Sequence, residues 1–162
     1  MNQFTYVNFD EKFRKSLVKL YKEVWKEPPW NEYFWTDKMA NEDIDYALKQ
    51  KDFISKLAVN TNIVKGFTWG YFLPKEKFQF LNLDEAVYID ELAVKKELRK
   101  IGIGTRLTEM LINDARKLGY DTITLRTDIN GGAYKFYLDL GFVDIKIKDP
   151  KYSQRTYMTK TI

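Results

Sequence analysis

Arg99-Lys100-Ile101-Gly102-Ile103-Gly104 opens a run in which Ile103, Leu107, Met110, Leu111, Ala115 and Leu118 recur at helical spacing. Gly102 and Gly104 remove side chains where the first helical amides point outward, so an anion can reach backbone N–H groups and the positive end of the helix dipole. A phosphate suits that cradle. Two adjacent carboxylates, Asp90 and Glu91, precede it, and Asp128, Asn130, Ala133 and Tyr137 follow. The chain contains no histidine and no cysteine, so proton transfer must rest on carboxylates, Tyr, Lys, backbone or water. Ser-His and Cys-His nucleophiles, disulfides and thiolate metal sites are excluded.

The elements that must position these groups follow from pattern. Ala86 to Val94 reads as a strand apolar enough to be central, and unbroken alternation puts Leu92 and Val94 on one face with Tyr88 and Asp90, and Ile89, Glu91 and Ala93 on the other. At most one of Asp90 and Glu91 then points into a site. A helix is predicted over Asn130 to Leu140, closed by Gly141; Asn130 and Tyr137, seven residues apart, share its face with small Ala133 between them. Asp121 to Thr127 supplies a strand before it, and Phe142 to Lys148 and Gln154 to Lys160 a final pair.

In the first half, Thr5 to Phe9 reads as a strand, Asp10 as the cap of a helix from Glu11 to Trp25, and Thr36 as the cap of a second through Gln50. Asp52 to Val59 and Ile63 to Leu73 form a hairpin through Asn60-Thr61-Asn62, with Gly66 and Gly70 at bulges, and Pro74 to Asp84 is a loop. Between the first two helices lies Trp25-Lys26-Glu27-Pro28-Pro29-Trp30-Asn31-Glu32-Tyr33-Phe34-Trp35. Its aromatics, interleaved with Glu27 and Glu32, suit a cationic or ring-bearing amine by stacking and cation–π contact, and suit equally a hydrophobic lid over the sheet.

At 162 residues the chain is expected to form one domain over residues 1–162, mixed α/β with a βαβ unit at its centre. No apolar run approaches eighteen residues, and Met1-Asn2-Gln3-Phe4-Thr5-Tyr6 lacks the order of a signal peptide, so a cytoplasmic protein without a membrane partner is expected. Lys and Arg number 27 against 23 Asp and Glu, a net charge of +4 that favours a polyanionic ligand; without a long basic run, it argues against nucleic acid as partner.

Arg99, Gly102 and Gly104 match the motif of Gln or Arg, two residues, Gly, one residue, then Gly or Ala. With the strand before them, and Asn130-x-x-Ala133-x-x-x-Tyr137 and Gly141-Phe142 after, the chain resembles the GNAT superfamily of N-acetyltransferases. The resemblance is densest from Val87 to Phe142 and looser end to end. It implies a mixed, mostly antiparallel sheet of about six or seven strands with a splayed parallel pair and about four flanking helices. Arg99, Lys100, Ile101, Gly102, Ile103, Gly104 and Thr105 would wrap the pyrophosphate of coenzyme A. The strand segment Leu92, Ala93 and Val94 would line the pantetheine, with backbone groups of Leu92 and Val94 meeting its amides. Asn130 and Ala133 would contact the cofactor, and Tyr137 would stand beside the sulfur.

A free Tyr stays protonated at neutrality, and a departing thiolate binds protons more weakly by roughly one to two pK units, so Tyr137 is a sensible acid. Glu91 and then Asp90, followed by Asp128, are the candidate bases for an ammonium acceptor, although Tyr88 stands where some relatives carry a basic carboxylate, which leaves a water relay open. Trp30, Glu32, Tyr33 and Asp128 are the candidate acceptor-binding residues.

The activity implied is transfer of an acetyl group from acetyl-CoA to a primary amine of a small molecule or peptide, by direct attack in a ternary complex and without a metal. The competing implication is a non-catalytic acyl-CoA-binding sensor or interaction module; Tyr137 favours turnover. Gly104-Thr105-Arg106-Leu107 and Tyr157-Met158-Thr159-Lys160 are similar to aminoglycoside-type members, but at cofactor and scaffold positions, which say little of the acceptor. A sheet with a splayed pair leaves one end open, compatible with a homodimer.

Overall fold

The computed structural model describes residues 3–162. A short strand, β1 (Thr5–Val7), leads to Asp10, whose carboxylate accepts the Lys12 N–H at 2.9 Å and starts a single 3-10 turn over Glu11–Phe13. That turn runs into α1 (Arg14–Trp25), so the predicted first helix is two segments. Thr36 caps α2 (Asp37–Leu48) through the Met39 N–H at 3.1 Å, as its residue type predicts. The predicted loop over Pro74 to Asp84 contains instead a four-residue helix, α3 (Lys75–Phe78), and a 3-10 turn.

The remaining elements are β2 (Ile54–Asn60), β3 (Ile63–Phe72), β4 (Val87–Val94), α4 (Ile103–Lys117), β5 (Thr122–Asp128), α5 (Gly132–Asp139), β6 (Val143–Lys148) and β7 (Arg155–Thr161). The strands form one seven-stranded sheet in the order β1-β2-β3-β4-β5-β7-β6, antiparallel everywhere except β4 beside β5. Helices α1 and α2 bury Leu17, Leu20, Tyr21, Ile44 and Ala47 against Phe67, Trp69 and Tyr71 on one face. On the other, Leu107 and Leu111 of α4 are fully buried, each contributing about 1.5–3 kcal/mol of apolar transfer, and α5 adds Tyr137 beside Phe142.

Two of the three register shifts in the sheet fall on the pairs made by β3. Trp69 pairs with Glu91 and the next residue, Gly70, pairs with Ile89, so Asp90 is an extra residue bulged out of β4. Gly70 is required there: a Cβ would meet the Tyr88 carbonyl oxygen at 2.7 Å. The second shift, between Ala58 and Val59, leaves Lys65 unpaired beside Gly66. Parallel pairing of β4 with β5 covers only Val87–Ile89 against Ile123–Leu125; beyond it β5 continues with β7, while β4 from the bulge onward presents a free edge toward β5. The two strands part where Asp90 is inserted.

Candidate functional site

The cradle is built by backbone. Lys100 (φ +63°) and Gly102 (φ +96°) turn the chain back on itself, and Gly102 sits at the N-cap of α4 with no side chain capping the helix. The Arg106 N–H bonds the Gly102 carbonyl at 3.0 Å, starting the helical ladder and leaving the amides before it pointing outward. A Cβ on Gly102 would have nothing within 4 Å, so the approach is open, while buried Ile103 anchors the turn beside Val94 and Leu107. Lys100, Ile101 and Gly102 are exposed, and Gly104 and Thr105 half-buried, with Gly104 facing the Phe136 ring. Uncapped amides at the N-terminus of a fifteen-residue helix suit an anion, so these residues fit a diphosphate.

Arg99 departs from a free phosphate ligand: its Nε donates to the Val94 carbonyl at 2.9 Å, and its guanidinium pairs with Glu27 of the α1–α2 loop. Glu27 is therefore engaged and not free for an amine. On β4, Leu92 and Ala93 are half-buried and Val94 is buried.

The bulge also corrects the expected placement of the two carboxylates. Leu92 and Val94 pack with Ile89 on the α4 side, whereas Asp90, Glu91 and Ala93 lie with Tyr88 on the α1 side. Asp90 accepts the Trp69 indole N–H at 3.3 Å. Glu91 lies 3.2 Å from the Tyr21 hydroxyl, which donates to Asp43 at 2.6 Å. Burial raises the Glu91 carboxyl well above the usual range, reinforced by the charges of Asp90 and Asp43 and only partly opposed by Tyr21 and Arg126. Burial raises Asp90 too, against the bonds from Trp69 and Tyr71. Tyr21 thus links half-buried Glu91 to exposed Asp43. Sequence reasoning placed Tyr21 on the apolar stripe of α1 and missed its hydroxyl; the available signal was that a buried phenol needs a polar partner.

Tyr137 is on the other side of the opening, 6% exposed and edge-on to Phe136 and Phe142. Burial and the Glu91 charge raise its phenol above 10, so it holds its proton across the neutral range. Asn130 does not share its helix. The Asp128 carboxylate accepts the Asn130 N–H at 2.8 Å in a tight turn, so the helix begins only at Gly132, with Ala133 exposed in its first turn.

The acceptor candidates separate. Trp30 packs on Trp25 at 5.2 Å, Glu32 accepts the Trp35 indole N–H at 3.3 Å, Tyr33 is 69% exposed and buried Asp128 is turned to its own loop. Trp25 and Trp35 close on Tyr21 at 6.1 and 5.3 Å, making an aromatic wall that ends at Glu91. The β6–β7 loop is pinned opposite by Asp149, which receives Arg126 at 2.7 Å, the Tyr157 hydroxyl at 2.9 Å and the Lys151 and Tyr152 amides. Burial pushes this carboxyl up, but those donors outweigh it and hold it at about 2.

Residues 15–142 match the Acetyltransferase (GNAT) family. Over 70 residues the chain is 37% identical to the probable N-acetyltransferase san of Drosophila melanogaster; the match covers 42% of this chain and 38% of that protein, so it spans well under half of that relative. An acetyltransferase of the GNAT family from Staphylococcus aureus superposes with a TM-score of 0.77 at 18% identity, over 98% of this chain and 99% of that one. Aminoglycoside 6'-acetyltransferase type Ii gives 0.75 at 22% identity, over 97% and 96%. A chain of the NatC complex bound to Gag peptide and CoA gives 0.73 at 20% identity, over 99% of each. At these identities the structural likeness shows the fold.

Proposed function

The chain belongs to the Acetyltransferase (GNAT) family, and from that premise we propose that it transfers the acetyl group of acetyl-CoA directly to a primary amine bound beside Glu91. The reading rests above all on the bulge at Asp90: it sets a carboxylate that gains protons easily on one rim of the strand opening, with a fully protonated phenol on the other.

Amides from Arg99 to Thr105 hold the diphosphate, and the free edge of β4 at Leu92 to Val94 receives the pantetheine as a missing strand partner would be received. Glu91 takes a proton from the acceptor ammonium, and Tyr21 passes a proton on to Asp43 and solvent. The neutral amine nitrogen then bonds the acetyl carbon, the carbon–sulfur bond breaks with its electron pair going to sulfur, Tyr137 gives its proton to that sulfur, and the acylated nitrogen sheds its extra proton, which restores the Tyr137 phenol by way of solvent. Holding donor and amine together supplies much of the acceleration. The likeness to the probable N-acetyltransferase san, and to structures of an aminoglycoside 6'-acetyltransferase and of a peptide-bound NatC complex, supports an amine as acceptor.

The test is thiol release from acetyl-CoA across a panel of polyamines, aminoglycosides, amino acids and short peptides, for the unaltered protein and for Tyr137→Phe. Turnover with at least one amine that Tyr137→Phe cuts while acetyl-CoA binding persists is the expected result. Tight acetyl-CoA binding with no turnover on any amine would leave a sensor in its place.

A further inference from the structure

Arg155, at the first position of β7, has a guanidinium that makes no ion pair with any described residue, and its Nε is buried without an acceptor. It lies 5.1 Å from the centroid of Trp30 and 4.1 Å from that of Tyr152, so one ring from the α1–α2 loop and one from the β6–β7 loop attract the cation. Aromatic faces attract the charge but accept none of the in-plane N–H bonds, which form a fork matched to a carboxylate. Neither neighbouring carboxylate forms an ion pair with it: Asp149 is held by Arg126 and the loop amides, and Asp128, the cross-strand partner of Arg155, turns one oxygen to the Asn130 N–H.

The same aromatic wall connects this cation to the acidic rim. From Glu91 the path runs to Tyr21, to Trp25 at 6.1 Å, to Trp30 at 5.2 Å and then to Arg155. Arg155 also stands two strands away from β4, roughly 10 Å at the usual strand spacing before the splay is added. One wall therefore carries negative charge at one end, an unpaired positive charge at the other and ring faces between.

We infer that the acceptor is a primary amine carrying a carboxylate several bonds away, its ammonium at Glu91 and its carboxylate on the fork of Arg155. This rests on the reading of the site given above and narrows its substrate class. The separation is too long for the amino and carboxyl groups of one α-carbon; it suits the side-chain amine of a free amino acid such as lysine, or the N-terminus of a short peptide with a free C-terminus.

Acceptors differing only in that carboxylate test it: lysine against cadaverine, and glycyl-phenylalanine against its C-terminal amide, at saturating acetyl-CoA. The carboxylated member of at least one pair should have the higher kcat/KM by about tenfold or more, mostly through KM. Arg155→Gln should collapse that ratio toward one, and Arg155→Lys should restore it only in part. A preference within the lysine pair alone assigns an amino-acid side chain, and within the peptide pair alone a peptide terminus. Equal rates within both pairs, or an Arg155→Gln loss shared equally by carboxylated and uncharged acceptors, overturns the assignment. Calorimetry of the same pairs on CoA-saturated protein reads the preference without turnover: a carboxylate preference there with no acetylation sinks the catalytic reading and keeps the Arg155 site, whereas acetylation without preference does the reverse.

Discussion

The two sides of the strand opening are built from different kinds of group. On the α4 side the groups turned outward are main-chain amides in a turn fixed by Gly102, a local feature of the run from Arg99 to Thr105. On the α1 side the polar and charged groups are side chains from α1, α2, β3, β4, β5 and β7 that meet only after folding: Tyr21, Asp43, Trp69, Glu91, Arg126 and Arg155. A backbone cradle admits one kind of ligand across many sequences, while an assembled side-chain wall can be rewritten residue by residue. The donor side should thus be sensitive to conformation and the acceptor side to charge.

Tyr137→Phe divides the two most sharply. It removes one oxygen from a buried ring and keeps the contacts with Phe136 and Phe142, so acetyl-CoA affinity should stay within about twofold while kcat falls by roughly 10²–10⁴. Isothermal titration beside steady-state rates checks both halves. Loss of affinity in proportion to rate would place Tyr137 in binding instead of proton transfer.

Gly102→Val is the converse. A β-branched residue at φ +96° is strained, so the turn must reshape and the amides lose their aim; about two charge-assisted bonds lost correspond to roughly 100-fold weaker acetyl-CoA binding. Rates at saturating acetyl-CoA should fall far less. Unchanged affinity in a folded variant would show that the diphosphate is held elsewhere.

This division explains what the sequence made legible. The glycine turn that starts α4, the apolar run of β4, the caps at Asp10 and Thr36 and the helical stripe of α4 are local patterns, and each stands where its residues predict. The placement of Glu91 was not legible, because alternation assumes unbroken pairing and the inserted Asp90 is defined by its partner strand; Gly70, the local sign of the close approach, lies on that partner. Asn130 was misplaced for a related reason: spacing sees a seven-residue interval but not that Asp128 diverts the Asn130 amide and delays the helix. Arg155 gave no local signal at all, since its meaning comes from Trp30 in a distant loop.

On the acceptor side, Tyr21→Phe should lower kcat/KM about tenfold, the cost of one hydrogen-bonded link, without unfolding, because the ring still stacks on Trp69 at 6.0 Å and Phe67 at 5.9 Å. The acetyl-CoA titration should be unmoved. Full activity in Tyr21→Phe would mean that the proton leaves Glu91 by another route.

The smallest effect, and the most specific to charge, is expected from Asp43→Asn. A glutamate can serve as a base only when ionised, and burial followed by the charges of Asp90 and Asp43 raises the Glu91 carboxyl above the usual glutamate range. The acidic limb of kcat/KM should therefore lie at higher pH than an ordinary glutamate would give, and removing the Asp43 charge should move that limb to lower pH. Because Asp43 is exposed, salt screens it, so the displacement should shrink as ionic strength rises. Stability carries the same sign: with a folded-state value above the unfolded one, the contribution of Glu91 is present below the ordinary glutamate range and is lost as pH rises through its raised value. Asp43→Asn should soften that loss, read as a smaller fall in melting temperature from acidic to neutral pH. A limb that stays in place at low salt would remove Asp43 from the environment of Glu91 and leave Asp90 as the charge that tunes the base.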